Sequence, residues 1–162
     1  MMHKLYVFVG HIFCGACRIW WTIRDLISKP KAKNILFVAH PDDDTLFFHK
    51  VLKEKNVYVC LLTTGYSLRR MPDFFKAMRW YGVRYRAYGL RTDDMRMNKL
   101  EKYIRTVLKL GHFEKVYTHN ETGEYGHEEH ARIHRMLLGM RMICTARLVL
   151  RKFMNIRSMN RT

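Results

Sequence analysis

Apolar residues in this chain follow two rhythms. Nearly unbroken runs occur at Ile35 to Ala39 and Val57 to Leu62, with a shorter one at Val116-Tyr117 inside 115–118. Such runs, bounded by polar residues, are predicted strands buried on both faces. Between them apolar residues recur at helical spacing. One helix is predicted over 44–53. A second covers 71–81, with Met71, Phe74, Met78 and Tyr81 on one face. Met97, Leu100, Ile104 and Val107 mark a third, and a last helix starts near His127 and runs through Leu137 into a basic tail. A short strand is predicted near 85–88. This alternation predicts an α/β fold: a Rossmann-like, mostly parallel sheet with helices on both faces.

The first 30 residues are different. Lys4, His11, Arg18 and Asp25 fall seven apart, while Leu5, Val9, Ile12, Ala16, Ile19, Ile23 and Leu26 form the opposite stripe. That spacing predicts an amphipathic helix with a narrow polar face. As a transmembrane span it is marginal, because Arg18 at its centre costs about 2.5–3.5 kcal/mol on insertion. Packing on the body, lying in a membrane interface, and signal anchoring are the three possible uses, and packing is the one expected. A cleaved signal peptide is not expected, since no small-residue cleavage site precedes Lys29-Pro30-Lys31. Residues 1–30 are therefore assigned as amphipathic helix and linker, and 31–162 as one α/β domain ending in a basic helix or tail.

Composition narrows the class. The 162 residues suit one domain with a real core. Thirty basic residues against 14 acidic ones give a formal charge of +16, which implies an anionic partner, an anionic membrane surface or nucleic acid. No aromatic–basic interleaving of the kind found on nucleic-acid-binding strands is present, so no specific nucleic acid is expected. Cys14, Cys17, Cys60 and Cys144 make neither a disulfide framework nor a zinc knuckle, and read as thiols of a reducing, cytoplasmic compartment.

Chemistry concentrates in two places. His40-Pro41-Asp42-Asp43-Asp44 ends the first strand. An imidazole and adjacent acids at the carboxyl end of a strand are suited to a divalent metal. The same residues also fit the start of a helix, with Pro41 in the first turn and aspartates on its positive end. Both readings stand on this segment alone. The second cluster is His127, His130 and His134, after a Gly-containing loop. His127 and His130, three apart, can face one direction from a first helical turn. The pair is one residue too close for a zincin helix.

Together, Ala39-His40-Pro41-Asp42-Asp43 and Gly126-His127-x-x-His130 resemble the LmbE/PIG-L family of zinc-dependent de-N-acetylases. Thr63-Thr64-Gly65 and the helix ending in Tyr81-Gly82-Val83 strengthen the resemblance, which covers roughly residues 33–140. The chain departs from the family pattern at Asp44, where Glu is usual, and at Glu128 and Glu129, where Pro and Asp are usual. The resemblance implies a zinc ion, or another divalent metal, on His40, Asp43 and His130. It implies Asp42 as general base and His127 as the group that assists at the carbonyl. Glu129 would then orient His127, and Asp44 would brace its loop. His119, Asn120 and Tyr125 are candidates to line the pocket, and His134, one helical turn beyond His130, is an alternative ligand expected instead to be a supporting or solvated residue. Among the arginines, Arg69, Arg70, Arg79, Arg84, Arg86 and Arg91 are candidates to neutralise a substrate phosphate. The implied reaction is hydrolysis of a linear amide: acetyl is removed from an N-acetylated amino sugar, such as an N-acetylglucosamine conjugate carried on phosphate or lipid. The alternatives are a basic binding protein of the same fold with impaired catalysis, and a nucleic-acid-binding domain.

Overall fold

The computed structural model describes residues 16, 19–63, 70–90, 97–140 and 147–150. The expectations for Cys14, Cys17, Cys144, Arg69, Arg91, Thr64-Gly65 and most of the first 18 residues lie outside these. A helix α1 (19–27) precedes β1 (Asn34–Val38), α2 (Asp43–Lys53), β2 (Val57–Thr63), α3 (Met71–Tyr81), β3 (Arg84–Leu90), α4 (Met97–Leu108), β4 (Lys115–Thr118), α5 (Glu128–Met140) and β5 (Arg147–Leu150).

The strands form one parallel sheet in the order β3-β2-β1-β4-β5. Every residue of β1 and β2 is buried, as their continuous apolar runs require. Ile35 and Phe37 of β1, with Tyr58, Cys60 and Leu62 of β2, face α4 and α5. Leu36 and Val38, with Val57, Val59 and Leu61, face α2 and α3. The helices change faces because the strand order reverses direction at β1, and right-handed crossovers then emerge on opposite sides. The reversal leaves a crevice at the carboxyl ends of β1 and β4.

Two features differ from the sequence-based expectation. The stretch after α5 expected to be a basic helix or tail contains a fifth strand, β5, pairing with β4 from Lys115↔Arg147 to Thr118↔Leu150. At four residues it is too short to announce itself by periodicity. The second difference concerns α1, which packs on the body, but by the opposite side. Asp25, placed on the polar face, is fully buried, while Ile19, Ile23 and Leu26 of the apolar stripe are exposed.

The reason lies at the open edge of β3. Arg24 donates to the Tyr85 carbonyl at 2.6 Å, occupying an edge acceptor that no described strand covers. Trp21 packs against Phe75 and Tyr85. The Asp25 carboxylate is shared by Arg24, Arg84 and Arg86 and accepts the Tyr58 hydroxyl. Arg84 and Arg86 are thus tied to an internal anion rather than held for a substrate phosphate, while Arg79 is exposed.

Candidate metal centre

Three segments meet at the crevice. The β1–α2 turn brings His40, Asp42 and Asp43, the loop after β4 brings His119, Glu124 and His127, and the first turn of α5 brings Glu129 and His130. The turn is the helix start that one reading expected, and it also carries the candidate metal ligands of the other. Asp43 and Asp44 occupy the first turn of α2, on its positive end. Asp42 is forced to φ 115°, a conformation unusual for any residue with a side chain. That kink turns Asp43 inward and leaves Asp42 half-exposed beside Arg70, whose Nη1 is 3.3 Å from Oδ2.

His40 Nδ1, Asp43 Oδ2 and His130 Nε2 form a near-regular triangle. Its edges are 3.4 Å from His40 to Asp43, 3.1 Å from Asp43 to His130 and 3.2 Å from His130 to His40. Zinc bonds of about 2.0–2.2 Å at tetrahedral angles put donor atoms roughly 3.3–3.5 Å apart. The far side of each ring faces a carboxylate. His40 Nε2 meets Glu129 Oε2 in a short contact, and His130 Nδ1 lies 2.8 Å from Glu124 Oε2. With those outer nitrogens donating, the inner lone pair of each imidazole is directed into the triangle. The His40 backbone N–H donates to Asp43 Oδ2 at 2.8 Å and fixes the carboxylate.

The electrostatics follow from this packing. Burial alone would raise the Asp43 carboxyl, but hydrogen bonds from His130 and His40 hold it well below the usual range. Burial disfavours the charged form of His40, yet Asp43 and Glu129 push it up to about 9. Glu124, despite its burial, is held down to about 2 by His119 and His130. These opposing shifts come from imidazoles and carboxylates packed against one another with little water between them.

A second compact group, Asp43, His119 and His130, overlaps the first, and His40, His127 and His130 make a third. A buried Asp/His/His set can thus hold a metal ion. Hydrogen bonding separates the candidates. His119 Nε2 accepts the Ala39 N–H at 2.9 Å, and its Nδ1 donates to Glu124 at 3.0 Å, so its lone pair is engaged. His127 stacks on His130 with 4.6 Å between ring centres, and its buried Nδ1 has no partner. Burial and the neighbouring His130 and His40 lower its pKa.

Several expected roles are corrected. Glu129 contacts His40 rather than His127. His119 and Asn120 are interior braces, not pocket lining. Asn120 Oδ1 accepts the Thr122 N–H, the Thr122 hydroxyl and the Glu124 N–H, closing the loop. Gly123 is required there, because a Cβ on it would lie 2.2 Å from the His127 carbonyl. His134 Nδ1 donates to the His119 carbonyl at 2.9 Å and ties α5 to the end of β4. Asp44 braces its turn by accepting the Asp42 N–H, and burial raises its carboxyl to about 6. Tyr125 is exposed at the rim, its ring 5.7 Å from that of His127. Asp42, Asp44, Thr45, Arg70 and Asp73 also line a pocket of about 310 Å³ between the starts of α2 and α3. Glu124 has no periodic signal in the sequence. Its role depends on a loop with φ 71° at Gly123 and 59° at Glu124.

No family model matches the chain. The chain is similar to an uncharacterized protein, L374, of Acanthamoeba polyphaga mimivirus, at 26% identity over 131 residues, covering 68% of this chain and 58% of the relative. Among solved structures it resembles GalB, the 4-carboxy-2-hydroxymuconate hydratase from Pseudomonas putida KT2440. The TM-score is 0.57 at 16% identity, covering 68% of this chain and 56% of GalB. The chain therefore spans little more than half the length of either protein. The GalB likeness shows the fold.

Proposed function

We propose that this protein is a zinc-dependent hydrolase that removes an acetyl group from an N-acetylated amino sugar. The observation that carries the reading is the triangle of His40 Nδ1, Asp43 Oδ2 and His130 Nε2, with Glu129 and Glu124 behind the two imidazoles. Three protein donors, with no fourth protein ligand required, fit a catalytic rather than a structural metal site, and His40 is the partly exposed one. The likeness to GalB supports a metal-dependent hydrolase or lyase at the level of fold, and the resemblance to the LmbE/PIG-L motifs narrows it to amide hydrolysis.

His40, Asp43 and His130 would hold the ion. When bound, zinc acidifies water and polarises a carbonyl. Asp42 is free of the donor triangle and half-exposed, so its carboxylate takes a proton from the attacking water and returns it to the departing amine. Burial raises the Asp42 carboxyl, and Arg70 beside it opposes that rise. His127, stacked on His130 beside the triangle, would supply a hydrogen bond to the carbonyl oxygen as it gains charge. The products are acetate and a free amine.

The test is zinc content beside acetate release from N-acetylglucosamine conjugates. Wild type is expected to bind about one zinc per chain, His40→Ala and His130→Ala to lose it, and Asp42→Asn to keep zinc while losing acetate release. Zinc bound without turnover of any N-acetylated sugar would favour a basic binding protein of the same fold. Absence of zinc after reconstitution would sink the hydrolase reading.

A further inference from the structure

We infer that the outward face of α1 seats the protein on an anionic lipid bilayer. This stands apart from the proposed hydrolase reading. On α1 the side toward the body carries Trp21 and Asp25, 7% and 0% exposed. The other side presents Ile19 at 64%, Trp20 at 64%, Ile23 at 47%, Leu26 at 67% and Ile27 at 82% exposure. At about 100° per residue these five fall within an arc of roughly 120°, centred opposite Trp21 and Asp25. The helix is held in this orientation from within. With Asp25 shared by Arg24, Arg84 and Arg86, the apolar stripe cannot turn inward without breaking that cluster.

Five large apolar side chains on one short helix make a patch that water does not favour. Lys29 and Lys31 follow immediately and are exposed. An apolar stripe with a tryptophan, flanked by lysines, has the composition of a helix lying in the headgroup boundary. Among the described residues no helix is long and apolar enough to cross a membrane. A second copy is the poorer occupant. The nine described residues of α1 span only about 13 Å, too little for the roughly 800 Å² per partner of a stable interface. A formal charge of +16 also makes two copies repel while attracting an anionic surface.

The test is flotation of the full chain with phosphatidylcholine vesicles, with and without about a third phosphatidylserine. Wild type is expected to float with the phosphatidylserine vesicles, and Ile23→Glu/Leu26→Glu to lose at least tenfold of the bound fraction with an unchanged circular dichroism spectrum. Trp20→Ser/Ile27→Ser provides the same reading should the charged pair fail to fold. Raised salt is expected to weaken wild-type binding. Failure of wild type to float, equal flotation of the variants, or a dimer by light scattering that the variants dissociate would each overturn the inference.

Discussion

Glu124 is the residue whose removal tests the metal centre most sharply. Its Oε2 accepts from His119 Nδ1 at 3.0 Å and His130 Nδ1 at 2.8 Å, and its Oε1 accepts the Asn120 N–H at 3.0 Å. The side chain is 1% exposed, so water cannot replace any of these acceptors. Glu124→Gln keeps the volume and removes the chemistry. If the amide nitrogen faces the rings, it opposes two N–H donors. His130 must then move its proton to Nε2, the nitrogen that belongs to the donor triangle. If the oxygen faces the rings, the amide nitrogen opposes the Asn120 N–H and leaves a buried donor unpaired, at about 1–3 kcal/mol. Removing a carboxylate behind a metal-binding histidine weakens the metal by about 10–100-fold, or roughly 1.4–2.7 kcal/mol. Competition with a chromogenic chelator, beside a thermal melt without zinc, separates the two effects. Zinc affinity in Glu124→Gln within threefold of wild type, together with an unchanged melt, would refute the argument that Glu124 fixes the tautomer of His130.

The other predictions concern the base, the latch and the core. Arg70→Met removes the cation that lowers the Asp42 pKa, so the acid limb of the pH–rate profile for acetate release moves to higher pH, with zinc content unchanged. Asp25→Ala leaves the buried Arg86 without its carboxylate and is expected to cost about 3–5 kcal/mol in urea unfolding. Burial pushes the Cys60 thiol from 9.0 up to about 12. The neutral thiol is favoured in the folded state, so this stability is complete below pH 9 and is lost as pH rises toward 12. The tyrosines raised in the same direction start from 10.0, so between pH 9 and 10 Cys60 dominates. Cys60→Ala is expected to flatten the stability–pH slope there by up to about 1.4 kcal/mol per unit.

Much of the architecture is legible from periodicity, because strands buried on both faces must be apolar throughout and covering helices must be apolar at helical spacing. Ile35 to Ala39, Val57 to Leu62, and the buried faces of Met71–Phe74–Met78 and Leu100–Ile104–Val107 all follow from that rule. The two motifs likewise place His40, Asp42, Asp43, His127 and His130 at strand ends and a helix start, where side chains converge. Local pattern does not reveal partners far apart in sequence. The pairing of Glu129 with His40 spans 89 residues, and the hold of Ala39 on His119 spans 80. Glu124 acts through a loop closed by Asn120 and Gly123, and no spacing marks it. β5 owes its place to an open edge of β4 rather than to its own four residues. α1 shows the limit most clearly. Its amphipathic spacing states that two faces exist, and hydrophobicity alone would turn the apolar one inward. The arginines of β3 and the Tyr85 carbonyl that accepts from Arg24, assembled only in the folded sheet, draw Asp25 inside and leave the apolar stripe outside.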